Sequence, residues 1–108
     1  MNKTEAAVFD GFRKRDGMVV PFRRDKIVLA ISRAADEVRR RDHVEVGETM
    51  PEQMADLVVQ QLSDPHSEYH VSPDEHGRRI PHIEDMQDLI EIVLAEQGYA
   101  PIVAAYKR

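Results

Sequence analysis

The chain has no cysteine among its 108 residues. That absence removes disulfides, thiolate nucleophiles and cysteine-based zinc sites together. Long hydrophobic runs are missing as well. The longest apolar stretches, Ile27 to Ile31 and Leu89 to Leu94, are too short and too interrupted to span a bilayer, so no membrane partner is expected. The opening Met1-Asn2-Lys3-Thr4-Glu5 lacks the apolar centre of a signal peptide, and a cytoplasmic location is the expectation. Positive charge is in overall deficit. A net charge of −5 disfavours a general nucleic-acid-binding surface.

What is present is the balance of an ordinary globular domain, with 42% hydrophobic and 32% charged residues. The length suits one small domain and is too short for two separate cores. The charge is unevenly placed. Between Phe12 and Lys26 stand six basic residues (Arg13, Lys14, Arg15, Arg23, Arg24, Lys26) against the acids Asp16 and Asp25. A compact basic patch on an acidic domain suits a small polyanion better than a long one. On charge alone, however, solvated Lys and Arg side chains are the better account.

Residues 1–10 carry little periodicity and read as a flexible leader, with the domain proper over 11–108. Phe12 to Phe22 reads as a β-hairpin centred on Asp16-Gly17, a pair favoured in two-residue type I′ turns. With those two as the loop, Arg15 faces Met18, Lys14 faces Val19, Arg13 faces Val20 and Phe12 faces Pro21. Side-chain alternation then puts Phe12, Lys14 and Val19 on one face, and Arg13, Arg15 and Val20 on the other. A first helix is expected over Asp25 to Arg40, where Ile27, Ala30, Ile31, Ala34, Ala35 and Val38 form one stripe. Its closing Arg39-Arg40-Arg41 suits the negative end of the helix dipole. A second helix is expected to start at Thr49, whose spacing to Glu52 is that of a capping box, with Pro51 in the first turn. Ser63 to Pro81 is polar and aperiodic, a long loop. A third helix is expected over His82 to Gln97, with Gly98 as its left-handed terminator, and a short fourth helix follows, with Pro101 near its start. The fold class is α+β: a hairpin followed by four helices.

A two-stranded ribbon is marginal alone and must pack on the helices. That brings Lys14 and Arg15 towards the start of the first helix, where Lys26 projects. Three cations and the free N–H groups of a helix N-terminus are natural partners for phosphate oxygens. Phe12, Val20 and Phe22 can supply an apolar slot for a base. His66, His70, His76 and His82 raise the thought of a metal site. Pro73 and Gly77 interrupt them and no helix aligns them, so solvated or loop-packed histidines are the better account and no metal site is assigned.

Several segments in order resemble the ATP-cone domain at the N-terminus of ribonucleotide reductases. They are Lys14-Arg15-Asp16-Gly17, Val20-Pro21-Phe22, Lys26-Ile27, Met86-Gln87-Asp88-Leu89-Ile90-Glu91 and Ala104-Ala105-Tyr106. The resemblance covers nearly everything from residue 12 onward. It implies a β-hairpin lid over a four-helix bundle, with ATP or dATP, accompanied by Mg2+, lying between them. It implies phosphate contacts from Lys14, Arg15 and Lys26. It implies that Val20, Pro21, Phe22 and Arg23 shape the adenine and ribose region, and that Ile83 and Gln87 lie at further contact positions. Ile83 offers only packing, and Arg23 replaces a frequent Asp that caps the first helix.

The role implied is overall activity control of a reductase, ATP activating and dATP inhibiting. The chain itself is then a regulatory domain and not an enzyme. Its partners would be adenine nucleotides, the catalytic domain of the parent reductase and other cones. By sequence style the anaerobic ribonucleoside-triphosphate reductase ranks first as parent and the cobalamin-dependent enzyme second. Two other readings stand beside this one. A nucleotide-sensing transcriptional repressor couples such a cone to a zinc ribbon, which needs cysteines. A helical interaction domain without ligand would explain the helices but not the charge around a tight hairpin.

Overall fold

A computed structural model describes residues 9–43 and 45–107. The elements are β1 (Phe12–Arg13), β2 (Val19–Val20), α1 (Arg24–Asp42), α2 (Met50–Ser63), α3 (Ile83–Glu96) and α4 (Ala100–Lys107). Among the described residues the expected α+β arrangement, a hairpin and four helices, is the one that forms. Each helix exists because an apolar stripe recurs at helical spacing. Ile27, Ile31, Ala34, Ala35 and Val38 are buried on α1, and Met86, Leu89, Ile90, Val93 and Leu94 on α3. Helix α1 packs against α2 and α4, and α3 closes the ring against the same two. Ile31, Leu89, Leu94 and Ile102 are almost wholly removed from solvent. Burying each is worth about 1.5–3 kcal/mol, which is what holds the bundle.

The helix ends follow local chemistry, with one exception. Helix α3 closes on Gly98 at φ +89°. There the Tyr99 N–H donates to the Leu94 carbonyl at 2.8 Å and the Gly98 N–H to the Ala95 carbonyl at 3.1 Å, a Schellman motif. His82 precedes α3, and its Nδ1 accepts from the Glu84 N–H at 3.2 Å. The capping box expected at Thr49 does not form. Thr49 has φ −90° and ψ −1°, already helix-like, and its side chain makes no cap bond. A capping side chain needs an extended backbone to aim its oxygen at the first free N–H groups. Here a turn from Gly47 leads into the helix instead, with the Met50 N–H on the Gly47 carbonyl at 3.2 Å.

The hairpin register differs from expectation by one residue. Phe12 pairs with Val20 and Arg13 with Val19. The Lys14 N–H donates to the Met18 carbonyl at 2.8 Å, and the Gly17 N–H to the Lys14 carbonyl at 2.9 Å. The loop is therefore three residues, Arg15-Asp16-Gly17, with only Gly17 at positive φ, +90°. Asp16 stays out of the left-handed region because its carboxylate is used locally. Its Oδ1 accepts from the Met18 N–H at 2.9 Å. This is the three-residue type of hairpin turn, in which glycine takes the single left-handed position. The consequence is large, because a shift of one swaps faces. Val20 joins Phe12 and Lys14, whereas Val19 joins its partner Arg13 on the other face and is exposed.

Residues 1–8 of the expected leader lie outside the described residues. Its last two, Phe9 and Asp10, belong to the packed domain. Phe9 is buried, with its ring centroid 4.9 Å from that of Phe22 and the Arg79 guanidinium 5.4 Å above it. Asp10 and Arg79 exchange two hydrogen bonds, at 2.9 and 2.8 Å. The long loop before α3 thereby acquires a structural role. Its last residues run beside β1, with the Arg13 N–H on the Pro81 carbonyl at 2.9 Å and a parallel bridge from Arg13 to His82. Gly11 lets the ribbon close tightly, since a Cβ there would meet Val19 Cγ1 at 2.6 Å. Loop and hairpin together are tied to the start of α3. Among the described residues no helix is long and apolar enough to cross a membrane.

Candidate functional site

Between the ribbon and the bundle lies a cavity of about 520 Å³. Phe12 and Val20 wall it from the hairpin, and Pro21 and Phe22 from the link into α1. Ile27 and Ala30 of α1, Met86 and Ile90 of α3, and Tyr106 of α4 form the floor. Three cations share the lining: Lys14 from the hairpin, Arg23 just before α1, and Lys26 in its first turn. Among the described residues no carboxylate lines it. The space is an apolar slot with positive charge beside it, suited to a flat apolar group carrying an anion.

Of the nine residues singled out by sequence, Lys14, Val20, Pro21, Phe22, Arg23, Lys26, Ile83 and Gln87 all line this cavity. Arg15 does not line it but leans on the same wall. Its Nη2 donates to Gln87 Oε1 at 3.0 Å, and its Nε lies 3.5 Å from a Glu84 carboxylate oxygen. The second contact is exposed on both sides and holds little energy by itself. Together the two span the gap between hairpin tip and α3.

The cations differ in their engagements. Arg23 donates from Nε and Nη2 to the two Asp25 oxygens at 3.1 and 2.9 Å. That hydrogen-bonded pairing lowers the Asp25 carboxyl below the usual carboxylate range. Arg23 thus replaces a helix cap with an ion pair: its side chain makes no cap bond to α1, leaving first-turn N–H groups without that partner. Lys14 and Lys26 are exposed and, among the described residues, neither side chain takes part in a hydrogen bond or salt bridge. The rest of the basic cluster disperses. Arg13 donates to the Gly17 carbonyl at 3.0 Å, and Arg24 turns to α2, to Glu52 at 2.9 Å and Asp56 at 2.6 Å.

Five lining residues were not singled out for the site from the sequence. Ile27, Ala30, Met86 and Ile90 read as core because they sit on core stripes, and Tyr106 reads as an apolar contact of the last helix. The stripe is wider than the bundle needs, and the hairpin covers the excess. No local pattern separates the two uses. Burial, reinforced by the Glu91 charge, pushes the Tyr106 phenol up to about 12, so its hydroxyl stays neutral.

Residues 12–108 match the family model described as the ATP cone domain. A vitamin B12-dependent ribonucleoside-diphosphate reductase of Thermoplasma acidophilum is 36% identical over 81 residues, covering 75% of this chain and 8% of the reductase. The protein of the same name from Mycobacterium tuberculosis is 34% identical over 94 residues, covering 87% of this chain and 11% of the reductase. The chain spans about a tenth of the length of the curated relatives it matches.

Proposed function

This chain belongs to the ATP-cone domain family, and from that membership we propose that it senses ATP against dATP and sets the overall activity of a ribonucleotide reductase, ATP activating and dATP inhibiting. The observation that carries the reading is the cavity itself. An apolar slot bears on its lining two lysines, Lys14 and Lys26, whose side chains make no hydrogen bond or salt bridge among the described residues. The base would enter between the Phe12, Val20, Pro21 and Phe22 wall and the bundle. The triphosphate would meet Lys14, Lys26 and the first turn of α1. Arg23 and Arg15 would add charge if released from Asp25 and Gln87, while Ile83 and Gln87 border the same space. With no carboxylate among the described lining residues, Mg2+ would be held by the phosphate oxygens and water.

One ribose hydroxyl separates the two effectors. A neutral hydrogen bond contributes about 0.5–1.5 kcal/mol, a preference of about tenfold at most. Each nucleotide must therefore favour a different arrangement of the cone against its neighbours, since a ligand shifts populations only through differential affinity. Those neighbours would be the catalytic domain of a parent reductase and other cones, in the cytoplasm. The relatives named above favour a cobalamin-dependent parent ahead of the anaerobic enzyme that sequence style ranks first.

Thermal melts of the chain with ATP, dATP, GTP and no ligand test the reading. A specific ligand raises stability by mass action. Stabilisation by both adenine nucleotides, exceeding that by GTP, is the expected result. No stabilisation at millimolar nucleotide would refute the assignment in favour of a ligand-free interaction domain.

A further inference from the structure

A nucleoside buried in this cavity carries polar edge atoms into an apolar slot, and buried polar groups without partners are strongly disfavoured. The lining cations would be drawn to phosphate. Among the described lining side chains only Gln87 and Tyr106 are polar and uncharged. Gln87 Oε1 already accepts from Arg15 Nη2 at 3.0 Å. The Tyr106 hydroxyl makes no side-chain hydrogen bond among the described residues. Among the described lining side chains it is therefore the one uncharged oxygen acceptor not engaged in a side-chain hydrogen bond. Its ring is partly buried against the core, which fixes it as part of the bundle wall.

Resting on the nucleotide reading above, we propose that Tyr106 is a ligand-contacting residue whose hydroxyl hydrogen-bonds the base of the bound nucleotide, accepting from the exocyclic amino group of adenine while the lysines hold the phosphates. A neutral phenol suits that task, since it accepts and donates at once. The residue's seat on α4, a helix packed on both α1 and α3, also makes occupancy of the slot felt by the last described element of the fold.

The test is calorimetry on the full chain and its Tyr106→Phe variant, with ATP and with inorganic tripolyphosphate as probes. The variant keeps the ring and removes only the hydroxyl. ATP affinity should fall about two- to tenfold, the range of one neutral hydrogen bond, and tripolyphosphate affinity should not change. The chain has no tryptophan and three tyrosines, so its emission reports tyrosine alone. ATP should alter that emission in the wild type, and tripolyphosphate should not reproduce the change. Unchanged ATP affinity in Tyr106→Phe overturns the proposal. So does an equal loss for both probes, which marks a merely structural role. If the wild type binds neither probe, the nucleotide reading itself fails, and this inference with it.

Discussion

Lys26→Ala separates binding from folding at a single position. The side chain is exposed in the first turn of α1 and is without a hydrogen bond or salt bridge among the described residues. Such a surface change moves stability by no more than about 0.5 kcal/mol, or about 2–4 °C in a domain of this size. Binding should respond more. A hydrogen bond to a charged group is worth about 1.5–3 kcal/mol. Lys26 stands at an exposed site, where solvent weakens Coulomb attraction, so the lower figure applies and the dissociation constant rises about tenfold. The assay is a melt at an ATP concentration ten times the wild-type constant. There the wild type gains about 1.4 kcal/mol from mass action, about 6–11 °C. At the same concentration the variant gains about 0.4 kcal/mol, about 2–3 °C. Lys14→Ala should behave alike from the opposite wall. An unshifted apo melt combined with a full ATP response in both variants would refute the placement of the phosphates.

Four further outcomes follow from the geometry. Gly17→Ala should cost about 1–2 kcal/mol in a denaturant titration, because φ is +90° and nothing within 4 Å would clash, so the cost is conformational alone. Phe9→Ala should cost about 3–5 kcal/mol, since the ring is buried between Phe22 and Arg79; a loss under about 1 kcal/mol would return Phe9 to a leader. Thr49→Ala should stay within about 0.5 kcal/mol, against the ~1 kcal/mol of a working cap, and thermal melting decides between them. The folded-state pKa of Tyr106, about 12, lies above the ordinary 10.0. Its contribution is therefore complete below pH 10 and is lost as pH rises towards 12. Tyr106→Phe should lack that alkaline step when unfolding is followed against pH.

The helices were legible because burial on a helix repeats every three to four residues and leaves that period in the sequence. The stripes of α1 and α3, the Gly98 stop and the existence of a hairpin at Asp16-Gly17 all emerge from neighbours a few positions apart. Eight of the nine residues that the ordered segments picked out line one cavity, and Arg15 stands beside it. The hairpin register was not legible. Asp-Gly is compatible with two loop lengths, and the choice turns on whether the Asp16 carboxylate captures the Met18 N–H. That bond accompanies the register in which Val20 and not Val19 faces the cavity.

Local sequence thus determined the elements, the positions of their ends to within a few residues and the chemical character of the basic segment. Only tertiary structure decided which cations stay together. Arg24 is drawn away to Glu52 and Asp56 on α2, Arg15 reaches across to Gln87, and Lys14 and Lys26 meet over one cavity. It also drew Phe9 into the core beside Arg79 and set Tyr106 in the wall of the slot. The physical reason is that these contacts join residues dozens of positions apart. Their geometry depends on how the ribbon docks on the bundle, and no period in the chain records it.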